Sequence, residues 1–162
     1  MRKVLILGCP GSGKSTFAAQ LHEQTSLPLI HLDRLWWQPD GTHITREAFD
    51  AALSRILAQD AWILDGDYSR TCEMRLRACD TVFFLDLPES DCLSGVVQRA
   101  GKARPDCPLT GVTPDLLDQV RRYRAQNRPV VLALLRSYAD REIVIFRDRA
   151  EMARWLDRHK QH

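Results

Sequence analysis

Residues 8 to 15 read Gly-Cys-Pro-Gly-Ser-Gly-Lys-Ser, which fits G-x-x-x-x-G-K-[ST], the spacing of a phosphate-binding P-loop. Glycines at these positions let the backbone curl until its N–H groups converge on one anion, and a helix starting there adds the positive end of its dipole. In such a cradle Lys14 reaches the β and γ phosphates of a nucleotide. Ser15 holds Mg²⁺ through its hydroxyl, with water and phosphate oxygens filling most of the metal shell. The nucleotide-binding residues on this reading are Gly8, Pro10, Gly11, Ser12, Gly13, Lys14, Ser15 and Thr16.

Two further carboxylates stand where ligands bind in open α/β sheets, at the ends of apolar runs. Asp33 closes Leu27-Pro28-Leu29-Ile30-His31-Leu32 and has two readings: it takes a hydrogen bond or proton from an acceptor hydroxyl, or it caps a turn at Arg34-Leu35. Asp65 closes Ala61-Trp62-Ile63-Leu64, the usual form of the nucleotide-site carboxylate that orients waters on Mg²⁺. Asp67 shares that task or serves the acceptor. Arg99 and Arg104 flank or lie within a stretch with two glycines and two prolines, residues 101–111, and are placed either to swing onto phosphates or to remain solvated. The adjacent Trp36 and Trp37 are read as a substrate-stacking wall or as core contacts, and His31 and His43 as structural or exposed.

The elements that position these groups follow from periodicity. Val4 to Leu7 is an apolar strand leading into the loop, and Phe17, Ala18 and Leu21 give the next segment a helical stripe. Thr45 reads as the N-cap of a helix carrying Ala48, Phe49, Ala52, Leu53, Ile56 and Leu57 inward. Residues 71–80 are a short amphipathic helix. Thr81 to Leu87 is a buried strand ended by Pro88, which begins a helix stopped at Gly101. Thr113-Pro114 starts another helix, with Leu116, Leu117, Val120 and Tyr123 inward. Arg121, Arg124 and Arg128 share its other face, either solvated or returning to the site. Pro129 kinks or restarts this helix. Glu142 to Phe146 is a fifth strand, and Asp148 caps a last helix with Met152, Ala153, Trp155 and Leu156. Five strands alternating with helices imply an α/β three-layer α/β/α sandwich with a parallel sheet and its site at the carboxyl edge.

The 162 residues suit a single domain over 1–162, and 44% apolar content suits a soluble globular protein. A net charge of +2 does not argue for nucleic acid or membrane. The first apolar run is too short for a signal peptide or membrane span, so the expected location is the cytoplasm. Five cysteines without C-x-x-C spacing favour free thiols over a zinc site.

Four stretches carry a family resemblance: GCPGSGKST at 8–16, HLDRLWWQPDG at 31–41, WILDGDYSR at 62–70, and residues 126–156 beginning QNRPVV. Together with the TVFFLDLP strand they resemble the adenylate-kinase-related P-loop kinases, and within them the group labelled DNA topology modulation protein, flaR type. The resemblance implies a P-loop NTPase of the nucleoside-monophosphate-kinase type, strand order 2-3-1-4-5, with ATP and Mg²⁺ as ligands and a short lid at about 101–111. Asp65-Gly66 is similar to the D-G of D-G-F-P-R in nucleotide kinases, with Arg70 one residue later than that pattern's arginine. An aspartate after the second strand is typical of relatives that phosphorylate a small hydroxyl compound. The resulting expectation is a kinase moving the γ-phosphoryl of ATP to a small-molecule acceptor, with Lys14, Asp33, Asp65, Arg99 and Arg104 catalytic and Ser15 and Asp65 serving the metal. The alternatives are a nucleotide-dependent DNA-binding regulator, using arginines between 121 and 141, and a slow ATPase switch.

Overall fold

The computed structural model describes residues 1–160. In chain order its elements are β1 (Lys3–Gly8), α1 (Lys14–Thr25), β2 (Leu29–His31), α2 (Leu32–Trp36), α3 (Arg46–Leu57) and β3 (Trp62–Asp65). A 3₁₀ turn, Ser69–Thr71, leads into α4 (Cys72–Ala78), β4 (Thr81–Leu85) and α5 (Glu89–Gln98). The chain then forms α6 (Pro114–Gln126), α7 (Arg128–Ser137), β5 (Glu142–Phe146) and α8 (Arg149–Arg158). The five strands make one parallel sheet in the order β2-β3-β1-β4-β5. Successive strand side chains point to opposite faces, yet Val4 to Leu7 and Val82 to Leu85 are all fully buried. Both faces of the sheet are therefore covered, which makes the fold a three-layer α/β/α sandwich.

One layer is anchored by aromatic packing. Phe17 of α1 sets its ring edge against Phe83 at 5.0 Å and Phe146 at 5.4 Å, and Trp155 of α8 closes on Phe83 at 4.7 Å. Edge-to-face pairs of this kind contribute about 0.5–1.5 kcal/mol each beyond the area they bury. They fix α1, and hence the loop before it, against the middle of the sheet.

The helix ends form where capping chemistry places them. Thr45, Thr113 and Asp148 each accept a backbone N–H three residues on, from Ala48, Leu116 and Glu151. Asn127 separates α6 from α7 and Pro129 lies in the first turn of α7, so the proline restarts the helix. α5 ends at Gln98, three residues before the expected stop at Gly101. Gly101 instead has φ +69° and its N–H meets Thr110 O at 2.9 Å, closing the base of the 101–111 loop. The second strand is also shorter than its apolar run. It pairs with β3 only from Leu29 to His31, and the chain turns directly into α2. Asp33 is thus the second residue of a short helix and neither ends a strand nor caps a helix. Among the described residues no helix is long and apolar enough to cross a membrane.

Candidate active site

The P-loop leaves β1 between its two neighbours β3 and β4, so its turn lies at the carboxyl edge of the sheet. Gly13, at φ +97°, is the N-cap of α1, a left-handed conformation that only glycine adopts without strain. The loop also presses on α5. A Cβ at Gly11 would lie 2.0 Å from Cys92 O, and one at Gly95 would lie 2.1 Å from Gly11 O. Arg149 clamps the other side, donating to Gly11 O at 3.0 Å and Ser12 O at 3.2 Å. Neither Gly95 nor Arg149 stood out in the sequence, because an isolated glycine in a helix and an arginine in a first turn carry no pattern of their own.

Lys14 folds back with Nζ 3.0 Å from Cys9 O. Ser15 Oγ meets Asp65 Oδ2 at 2.6 Å, which joins the P-loop serine to the carboxylate ending β3. His31, at the end of β2, brings Nδ1 to the same Asp65 oxygen at 2.7 Å. His31 is therefore a member of this chain of polar contacts, which removes the exposed alternative and leaves the structural one. Register explains this: His31 and Asp65 are directly paired across β2 and β3.

The 101–111 segment adds a group that sequence spacing did not reveal. Asp106 is buried, with Oδ2 3.0 Å from Ser15 Oγ and 3.4 Å from Arg104 Nη1. A serine hydroxyl has one proton, so it donates to Asp65 or to Asp106 but not to both. Arg34 ties down the 101–111 segment by donating to the carbonyls of Arg104 and Pro105. Arg99 lies beside Arg104, Asp106 and Asp33; burial and then the Arg104 charge hold its pKa below the usual arginine value.

Asp33 Oδ1 accepts from the Tyr68 hydroxyl at 2.6 Å. Burial raises the Asp33 pKa above the ordinary carboxylate value, and the Tyr68 hydrogen bond and Lys14 draw it partly back. Asp67 is likewise raised by burial, opposed by the charges of Lys14 and Arg75, and Tyr123 Oη lies 3.4 Å from its Oδ1. Trp36 stacks on His43 with ring centroids 4.3 Å apart and meets Phe49 and Tyr68 edge-on. Trp37 pairs with His43 through an isolated bridge. The two indoles thus form one half-buried aromatic wall beside Asp33.

Three arginines for which a phosphate contact was one of two readings are engaged elsewhere. Arg70 makes a two-pronged pair with Asp50 at 2.7 and 3.0 Å on the surface. Arg128 grips the buried Asp86 in the same way at 2.7 and 2.8 Å, with Arg147 at 3.3 Å from that carboxylate. Arg121 pairs with Asp118 at 3.4 Å. Thr16 is exposed at the start of α1, and Pro10 is half-buried in the loop. All five cysteines are free and buried.

The residues present fit a nucleotide phosphate chain and its metal. Ser12 Oγ inside the loop and Asp65 Oδ1 are buried polar atoms with no partner in the protein. Most buried polar atoms in proteins are paired, so the unpaired hydroxyl in the loop and the unpaired oxygen on Asp65 are groups that a bound phosphate and hydrated cation would satisfy, while the third unpaired atom, Trp62 Nε1, is the indole N–H of a fully buried side chain in β3.

The fold, a five-stranded parallel sheet in the order β2-β3-β1-β4-β5 between two helical layers, has counterparts among solved structures. The solved structures it resembles include shikimate kinase from Bacteroides thetaiotaomicron, with a TM-score of 0.64, 17% identity, and 96% of this chain and 94% of that chain covered. No family model and no curated protein matches the chain.

Proposed function

We propose that the protein is a cytoplasmic ATP-dependent kinase that phosphorylates a hydroxyl group of a small molecule. The observation that carries this reading is the contact between Ser15 and Asp65 at 2.6 Å, which joins the P-loop to the β3 carboxylate beside the 101–111 segment, with Arg99 just before that segment and Arg104 within it. Phosphoryl transfer demands little covalent chemistry from a protein, only alignment and neutralisation of spreading charge. Lys14 would leave Cys9 O for the β and γ phosphates, and Arg99 and Arg104 would offset charge on the transferred group. Ser15 and Asp65 would hold Mg²⁺, which when bound supplies Lewis-acid neutralisation of the phosphate oxygens. Asp33 would receive the acceptor proton on Oδ2, because Oδ1 is occupied by Tyr68. Its raised pKa makes it a stronger base than an exposed aspartate.

The reading as a nucleotide-dependent DNA-binding regulator has less support. Of the arginines it needs, Arg128 is tied to Asp86 and Arg141 to the carbonyls of Leu76 and Arg77. The test is ADP release from MgATP against a panel of nucleoside monophosphates, nucleosides, sugars and hydroxy acids, shikimate among them. One acceptor class should stimulate turnover, and Lys14→Ala should reduce it by at least about 100-fold. A constant, acceptor-independent rate would replace the kinase reading with an ATPase.

A further inference from the structure

Arg75, in the middle of α4, has 0% exposure and makes no ion pair among the described residues. Its side chain instead gathers carbonyls from a single loop. Nη1 donates to Gly66 O at 2.8 Å, Nη2 to Tyr68 O at 2.9 Å and to Asp67 O, and Nε to Thr71 O at 3.4 Å. Burial lowers its pKa, but a guanidinium stays protonated in proteins, so a full positive charge sits under residues 66–71. A hydrophobic side chain of similar volume would fill this space without the desolvation that a buried charge incurs. Only a planar guanidinium presents enough donors to collect four carbonyls of one turn.

That turn is in a conformation it would not choose alone. Tyr68 has φ +33°, in the left-handed region that side chains with a Cβ avoid. The carbonyl of Tyr68 is one of those Arg75 holds, and its hydroxyl is the group on Asp33. The same turn is seated on α2 a second time, because the α-carbon of Gly66 packs on Leu32 closely enough that a Cβ there would lie 2.9 Å from Leu32 Cβ.

We infer that Arg75 is a positioning residue: it holds the 66–71 turn so that Tyr68 fixes the orientation of Asp33. This rests on the reading of Asp33 as the acceptor's carboxylate, but its test does not require an acceptor. The chain has three tyrosines, Tyr68, Tyr123 and Tyr138. With ¹³Cζ-labelled tyrosine, Tyr68→Phe assigns the Tyr68 signal and Asp33→Ala defines its position when the contact is lost. Tyr138 is held by Glu73 and Arg77 of α4, so its signal reports whether that helix is intact.

In Arg75→Gln the Tyr68 signal should move to the Asp33→Ala position while Tyr138 stays in place. Arg75→Lys should restore part of the shift. Once an acceptor is known, its kcat/KM should fall about tenfold in Arg75→Gln, the loss of one hydrogen bond to a charged group, with ADP affinity within about twofold of wild type. A Tyr68 signal that stays at the wild-type position overturns the inference, as does a shift shared equally by all three tyrosines. Failure of both variants to fold also overturns it, since Arg75 would then serve the fold as a whole. Absence of any acceptor would refute the kinase reading and leave the NMR result standing.

Discussion

Gly95→Ala is a substitution whose sign the structure reverses. Inside a helix, alanine ordinarily stabilises by about 1 kcal/mol relative to glycine, because it restricts the unfolded backbone. In α5 the new Cβ would lie 2.1 Å from Gly11 O, whereas real Cβ contacts stay beyond 3.0 Å. The obstacle is backbone on both sides, so P-loop and helix must separate by about 0.9 Å, the difference between those two distances. Overpacking of this kind costs about 1–3 kcal/mol, which cancels or exceeds the helix gain. The larger effect falls on the loop, where a 1 Å displacement of aligned groups costs about 100-fold in rate. Urea unfolding followed by circular dichroism, together with titration of a fluorescent ADP analogue, measures both. The expected protein is no more stable than wild type and binds ADP at least about tenfold more weakly. A variant that gains the full 1 kcal/mol and binds ADP normally would refute the idea that α5 sets the shape of the P-loop.

Arg128→Ala should cost about 3 kcal/mol in urea unfolding, because it leaves the buried Asp86 carboxylate with only the more distant Arg147; a loss under about 0.5 kcal/mol would show that Arg147 suffices. Asp33→Asn should stabilise the protein at neutral pH. The folded-state pKa of Asp33 is raised above its unfolded value, so its contribution to stability is greatest below the unfolded pKa and is lost as pH rises through the folded one. The advantage of Asp33→Asn in thermal melts should shrink as pH falls toward about 4, and a pH-independent difference would contradict that origin. Asp106→Ala frees the Ser15 hydroxyl from the lid and should tighten MgADP binding by calorimetry; weaker binding would place Asp106 among the groups that hold the nucleotide.

The architecture was legible because its signals are local. The P-loop, the Thr45, Thr113 and Asp148 caps and the bounds of β5 are each set by a few adjacent residues, and parallel connectivity follows from their alternation. What was not legible depends on residues far apart in sequence. Asp106 stands 91 positions from Ser15, and His31 meets Asp65 only through strand register. Arg75 occupies a position that periodicity assigns to the inner face of α4, where an arginine reads as surface charge until the loop carbonyls are seen around it. Asp33 was placed one element too early because the apolar run Leu27–Leu32 continues past the last strand pair into α2.

The sheet order bears on how the chain is made. β1 is central, and its partners β3 and β4 begin at Trp62 and Thr81, so its first residues wait about sixty residues for a neighbour. At roughly 5–20 residues per second, synthesis leaves Val4 to Leu7 without a strand partner for about 3–12 s. An apolar strand with two open edges is the species most prone to pair wrongly. During that interval α1 is the helix made next to it and packed on it, and the protein's yield in the cell should depend on chaperone occupancy of the emerging segment more than on the stability of the finished fold.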